Sequence, residues 1–234
     1  MASPPAARFL VVLDVDSTLI ENEVIELLAD AAGSGEQVAE ITFRAMNGEL
    51  DFEASLRERV GTLAGLSASV FDAVSGRIRI TAGVLEMISA VHASGGRVAV
   101  VSGGFHAIVD PLARQLGLDY WRANRLEIVD GKLTGGLVGP IVDAQAKAAT
   151  VTEWAQDFGV PLRQTIAVGD GANDLPMMAI TGLSVAFDAK APVRDEADVI
   201  MDTRDLRQLL PLIGLVGQCP MPRPPSTGMT APEM

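Results

Sequence analysis

Phe9-Leu10-Val11-Val12-Leu13-Asp14-Val15-Asp16-Ser17-Thr18 is the stretch that decides the fold. Its apolar, β-branched run reads as a strand buried on both faces, the kind found in parallel sheets. The strand delivers Asp14 and Asp16 to its carboxyl end, the edge at which open α/β sheets bind ligands. Side chains alternate along an extended chain, but where the strand ends both carboxylates can curl over one pocket. Like-charge repulsion forbids that arrangement unless a cation shares it, so the pair asks for a metal.

Outward from this strand, helical patterns cover Asn22–Leu28, Gln37–Met46, Asp51–Leu63 and Ser67–Val74 with no strand candidate among them, which reads as a helical insertion. Alternation then resumes: helix Gly83–Ser94, strand Arg97–Val101, helix His106–Leu116, strand Asp119–Ala123, helix Lys147–Phe158, strand Thr165–Val168, helix Asp174–Ile180 and strand Ser184–Phe187. Strands alternating with helices imply an α/β class, a doubly wound parallel sheet. Leu126–Val129 and Lys132–Val138 flank Asp130-Gly131, a dipeptide suited to a tight turn, so this piece is expected to be a β-hairpin flap. The expected organisation is a core of residues 8–18 and 82–212, a helical cap of 19–81 and a tail of 213–234. Pro220–Met234, rich in Pro and Met, is expected to be disordered or loosely packed.

With 234 residues, 48% of them hydrophobic, the chain can build a packed core unaided. Its net charge of -12 argues against nucleic acid and anionic membrane as partners, and makes any anion site a local gathering of few cations. The single cysteine, Cys219, excludes an internal disulfide and a cysteine metal centre. Residues 1–7 lack the apolar segment of a signal peptide, and no stretch approaches a membrane span, so a cytoplasmic location is expected.

A second cluster, Gly169-Asp170-Gly171-Ala172-Asn173-Asp174, also follows an apolar run, Thr165–Val168. Parallel strands end on one edge, so Asp170 and Asp174 can meet Asp14 and Asp16 there. Turn chemistry would explain one such cluster; two at strand ends argue for a shared site. Carboxylate and carbonyl oxygens suit Mg²⁺. A third strand end, Ser102-Gly103-Gly104, offers a hydroxyl and free amides for an anion. Lys147 opens a predicted helix, where the macrodipole disfavours a cation, and a bound phosphate would explain it.

A magnitude separates chemistry from mere metal binding. A carboxylate attacking a phosphate dianion at about 4 Å meets roughly 8 kcal/mol of repulsion at an effective dielectric near 20, about six orders of magnitude in rate. A metal ion, Lys147 and the amides near Ser102 are counterweights that would also stabilise a transferring phosphoryl group. Asp14 and Asp16 can then divide the work, one attacking phosphorus while the other carries protons, though spacing leaves open which does which.

The three strand ends together with Lys147 resemble the haloacid dehalogenase-like phosphatase superfamily, and the forms Asp14-Val15-Asp16-Ser17-Thr18, Ser102-Gly103-Gly104-Phe105 and Gly169–Asp174 resemble its phosphoserine-hydrolysing branch over about residues 8–212. The resemblance implies a Rossmann-like core with a helical cap between the first two motifs. It implies Asp14 as the nucleophile that forms a phosphoaspartate and Asp16 as general acid and base. Mg²⁺ would be held by the Asp14 carboxylate, the Asp16 carbonyl and Asp170, with Asp174 behind them. Ser102, Gly103 and Lys147 would hold phosphate, with Asn173 lining the same site.

The cap then sets the substrate. Glu23 shares a helical face with Leu27, and the resemblance gives it the substrate ammonium. Arg59, between Leu56 and Val60, matches the family's carboxylate-binding arginine and can grip a carboxylate through two parallel hydrogen bonds. Arg57, four residues after Glu53, reads as a solvated ion pair, and Met46 and Phe52 resemble residues that close over substrate. His92 and His106 have no metal-ligand spacing and read as structural. The implied reaction is Mg²⁺-dependent hydrolysis of O-phospho-L-serine, a small-molecule substrate; the alternatives are phosphoryl transfer to another hydroxyl acceptor such as homoserine, another small phosphomonoester, or a non-catalytic receiver module, against which the insertion after Asp16 argues.

Overall fold

The computed structural model describes residues 7–215. Strand β1 (Leu10–Leu13) lies at the middle of a seven-stranded sheet, fully buried along its length. It pairs in parallel with β2 (Arg97–Phe105) on one side and β5 (Thr165–Gly169) on the other. Beyond β2 come β3 (Tyr120–Val129) and β4 (Lys132–Val138); beyond β5 come β6 (Leu183–Phe187) and β7 (Val199–Met201). Every pairing is parallel except β3 with β4.

The alternation of β1 separates two cores. Val11 and Leu13 face a cluster built with α5 (Val84–Ala93) and α6 (His106–Leu116). Leu10 and Val12 face a second cluster with α7 (Ala144–Asp157), α8 (Leu175–Ile180) and α9 (Ala191–Glu196). Helices on both faces require apolar residues at successive strand positions, which is why these strands read as unbroken apolar runs. The strand order reverses between β1 and β5, and at such a switch point the loops diverge and leave a crevice at the carboxyl edge. Asp14 and Asp170 stand beside it.

Between β1 and β2 the chain leaves the sheet for α1 (Val24–Ala32), α2 (Gly35–Met46), α3 (Phe52–Gly61) and α4 (Val70–Ser75). The outgoing and returning crossings lie antiparallel: Glu21 N donates to Arg79 O at 2.8 Å and Thr81 N to Leu19 O at 3.0 Å. The hairpin turns at Asp130 and Gly131, both with positive φ (49° and 73°), as a tight two-residue turn requires.

Several boundaries differ from those expected. β2 does not stop at Val101 but continues through Ser102–Gly104 to Phe105, because its pairing with β3 resumes after an irregularity at Phe105↔Asn124. β3 runs unbroken over both pieces expected separately. α7 begins at Ala144, capped by Asp143 Oδ1, which accepts from Ala146 N at 2.7 Å, so Lys147 lies within the helix rather than opening it. Neither α9 nor β7 was expected; six and three residues are too short for a periodic signal. The expectation for Pro220–Met234 lies outside the described residues.

Candidate active site

The register from Leu10↔Thr165 to Leu13↔Val168 brings the ends of β1 and β5 level. Asp14, Asp170 and Asp174 consequently converge, each offering a carboxylate oxygen within 4.8 Å of the others. Lys147, with no exposed surface, reaches into this group from α7: Nζ lies 2.8 Å from Asp14 Oδ1 and 2.7 Å from Asp174 Oδ1. The resemblance assigned this lysine to phosphate; its ammonium here bridges two carboxylates, and a third N–H remains for a ligand.

The oxygens of the cluster are not equivalent. Asp14 Oδ1 accepts from both Val15 N (2.7 Å) and Lys147, so Oδ2 is the less engaged oxygen and the one placed for attack. Asp174 has both oxygens engaged, Oδ1 by Lys147 and Oδ2 by Gly171 N at 3.1 Å. That makes it a support for the pair in front of it rather than a direct donor. Asp170 Oδ1 accepts a long bond from Thr18 Oγ1, 3.4 Å. An all-oxygen set of this charge fits a hard divalent cation.

Protonation follows from the crowding. Burial, with Asp174 and Asp170, pushes the Asp14 carboxyl up to about 8 even though Lys147 opposes the shift. Burial, Asp174 and Glu23 raise Asp170 to about 6. Burial works against the charge of Lys147, but Asp14 and Asp174 outweigh it and keep the ammonium protonated. Asp16 stands apart from the triad. Its carboxyl is raised well above the usual range by burial, then by Glu23 and Asp14, and its Oδ1 is buried without a hydrogen-bond partner. That shift favours the protonated form, the state needed to donate a proton.

On the other side of Asp16 lies the Ser102–Gly104 segment. Ser102 is buried, and its Oγ accepts from Gly104 N at 2.8 Å, which leaves the hydroxyl hydrogen free to donate. A Cβ on Gly104 would sit 3.3 Å from Asp16 Oδ2 and 3.0 Å from Ser102 Oγ, and one on Gly103 would meet the Phe52 ring at 3.0 Å. These glycines thus let the backbone approach both Asp16 and the helical insertion. Asn173 folds back over Gly171 at the far side of the cluster.

Asn124 had no expected role, yet its Nδ2 donates to Gly103 O and its Oδ1 accepts from Val142 N, both at 2.8 Å. It pins the Ser102–Gly104 segment to the loop leading into α7. The available signal was an amide within an otherwise strand-like run, since a buried polar side chain must find partners.

The insertion supplies Glu23 and Arg59. Glu23 lies just before α1 rather than within it, and its Oε1 accepts from Ser17 Oγ at 2.7 Å. Arg59, largely buried, donates from Nε to Ser55 O at 3.3 Å; burial lowers its pKa while Glu23, Asp16 and Glu26 hold it up. The two groups therefore share the electrostatic environment of Asp16. Arg57 pairs with Glu53 on the exposed face at 2.7 Å, and Met46 is 74% exposed and does not close over the site. His92 binds Asp119 and His106 binds Asp110, at 2.7 and 2.6 Å.

The haloacid dehalogenase-like hydrolase family model matches residues 11–179, more than half of the chain. A phosphoserine phosphatase of Streptococcus thermophilus is 49% identical over 89% of this chain and 97% of its own length. One from Streptomyces coelicolor is 53% identical over 89% of this chain, which spans about half of that longer relative (51%). Among solved structures, a phospho-aspartyl intermediate analogue of phosphoserine phosphatase superposes with a TM-score of 0.83 at 42% identity, covering 89% of this chain and 99% of the other. Motifs, topology and these likenesses agree, and the chain belongs to the haloacid dehalogenase-like hydrolase family.

Proposed function

We propose that this chain hydrolyses O-phospho-L-serine to L-serine and phosphate, with residues 19–81 serving as the cap that reads the amino-acid end. The observation that carries the reading is the inequality of Asp14 and Asp16: burial raises both carboxyls, but Lys147 bonds Asp14 at 2.8 Å and opposes its rise, whereas Asp16 Oδ1 is buried without a hydrogen-bond partner. The names of the S. thermophilus relative and of the phospho-aspartyl structure support it.

In this mechanism Asp14 Oδ2 attacks phosphorus, forming the phosphoaspartate as the bond to the serine oxygen breaks. Asp16 gives its proton to that oxygen, and L-serine leaves. The Asp16 carboxylate then takes a proton from water, whose oxygen attacks phosphorus and releases phosphate and the Asp14 carboxylate. Ser102 Oγ, the amide of Gly103 and the remaining N–H of Lys147 hold the phosphoryl oxygens, with Asn173 beside them. Lys147 also keeps Asp14 oriented for attack.

Members of this family use a metal ion, and the acidic triad can hold one. The ion we propose is Mg²⁺, bound by the Asp14 carboxylate, the Asp16 carbonyl and Asp170 and backed by Asp174; it would offset the charge between nucleophile and phosphate dianion. Glu23 would receive the substrate ammonium and Arg59 its carboxylate, a pairing that suits a zwitterionic ester. A cytoplasmic setting fits the lone Cys219, and no helix of the described residues is long and apolar enough to cross a membrane.

Steady-state hydrolysis of O-phospho-L-serine against a panel of phosphomonoesters tests the assignment. The expected result is a kcat/KM at least tenfold above esters lacking the amino-acid end; an even profile overturns it.

A further inference from the structure

The turn that carries Ser17 is held from the far end of the chain. Ser17 has φ 56°, a left-handed conformation that a residue with a Cβ adopts only when its surroundings require it. Its amide makes a long bond to Asn22 O, 3.3 Å, while its hydroxyl donates to Glu23. Its carbonyl accepts from Arg204 Nη2 at 2.9 Å, a contact spanning 187 positions of sequence.

Arg204 itself rises from an anchored base. Leu206 N donates to Ala82 O at 2.9 Å, so the segment after β7 is tied to the returning crossing. Thr81, in that crossing, donates through Oγ1 to Thr18 O at 2.7 Å. The crossings are therefore gripped on both sides by one segment of the core. Arg204 Nη1 lies 3.4 Å from Asp188 Oδ2, a long and half-exposed pair of the kind that contributes little. Its Nε is buried without a partner, so the bond to Ser17 is the strong fixed contact of the guanidinium.

We propose that Arg204 is a positioning residue for substrate selection: through the Ser17 carbonyl it fixes the turn whose hydroxyl aims Glu23 at the ligand. It touches neither the phosphate-holding groups nor the acidic triad; the turn it fixes lies between Asp16 and Glu23, and the hydroxyl bond to Glu23 carries its influence to recognition of the ammonium. The inference rests on the reading of Glu23 given above.

The test is kinetic, on Arg204→Met, which keeps an apolar stem without donors, and Arg204→Lys, which keeps one. Each is assayed with O-phospho-L-serine and with the same ester lacking the ammonium, 3-phosphooxypropanoate. Arg204→Met is expected to raise KM for phosphoserine about tenfold with kcat within about threefold, to leave KM for the deamino ester within about twofold, and to be partly rescued by Lys. Equal losses on both esters, or an unchanged KM, overturn the proposal. If Arg204→Met does not fold, Arg204→Lys carries the same comparison at smaller amplitude. A wild-type enzyme indifferent to the ammonium refutes the substrate reading instead. Arg204 is then judged by its coupling to Glu23→Gln on whichever ester is turned over, where strictly additive losses overturn it.

Discussion

The carboxylate cluster at the strand ends and the proposed recognition pair at the insertion, Glu23 and Arg59, are built on opposite plans. Asp14, Lys147 and Asp174 are buried, joined through Lys147 by contacts of 2.8 and 2.7 Å, and sit at the end of β1, within α7 and at the start of α8. Glu23 and Arg59 are each held by one hydrogen bond, from the hydroxyl of a strained turn and to a helix carbonyl. Charge developing on a transferring phosphoryl group has to meet fixed dipoles, because reorganisation at that moment adds to the barrier. Selecting an amino acid needs only groups that become satisfied when it arrives.

The comparison breaks first if the core can lose its proposed nucleophile and still work. Asp14→Asn is expected to cut kcat by about four orders of magnitude or more with the circular dichroism spectrum unchanged; appreciable turnover in a clean preparation removes Asp14 from that role.

Lys147→Met leaves two carboxylates buried without their cation, and should cost about 3–5 kcal/mol of stability in denaturant unfolding, besides abolishing turnover. A variant as stable as the parent would mean that the bridge is dispensable and the core less preassembled than its geometry implies.

The cation itself gives the next largest effect, and its sign follows from the raised carboxyls. A group whose folded pKa lies above the unfolded value binds its proton more tightly when folded, so metal-free stability falls as pH rises from about 4 through the Asp170 value of about 6 to the Asp14 value of about 8. A divalent cation binds the deprotonated pair and reverses this. Mg²⁺ at about a hundred times its Kd should add about 2.7 kcal/mol at pH 8 and far less at pH 5.5, read as thermal midpoints; equal gains at both would dissociate the ion from these aspartates.

The smallest effect belongs to the recognition side. Arg59→Ala should raise KM for phosphoserine about thirtyfold, roughly 2 kcal/mol, with stability nearly unchanged. A collapse in stability would show that Arg59 serves the packing of α3 instead.

The core was legible because its chemistry is local in sequence. Asp14 and Asp16 follow one apolar run and Asp170 and Asp174 another, and both runs became central parallel strands. The hairpin was legible from Asp130-Gly131. Less visible were features that depend on partners far along the chain: the extension of β2 through Ser102–Gly104, the strand β7, and Asn124 and Arg204, whose targets lie 21 and 187 positions away. Lys147 shows both sides. Its unusual place near a helix start flagged it, but only the packed structure gave it two carboxylates for partners.

Periodicity and strand-end motifs thus determined the layered α/β architecture and the meeting of Asp14 with Asp170 and Asp174, since a parallel sheet brings all its carboxyl ends to one edge, but not that the Asp16 carboxyl stands apart from them. Tertiary structure alone decided how those carboxylates differ. Burial, the single ammonium of Lys147 and the amides of Val15 and Gly171 are distributed unevenly among them. A proton's preference depends on desolvation and on charges a few ångströms away, and neither can be read along the chain.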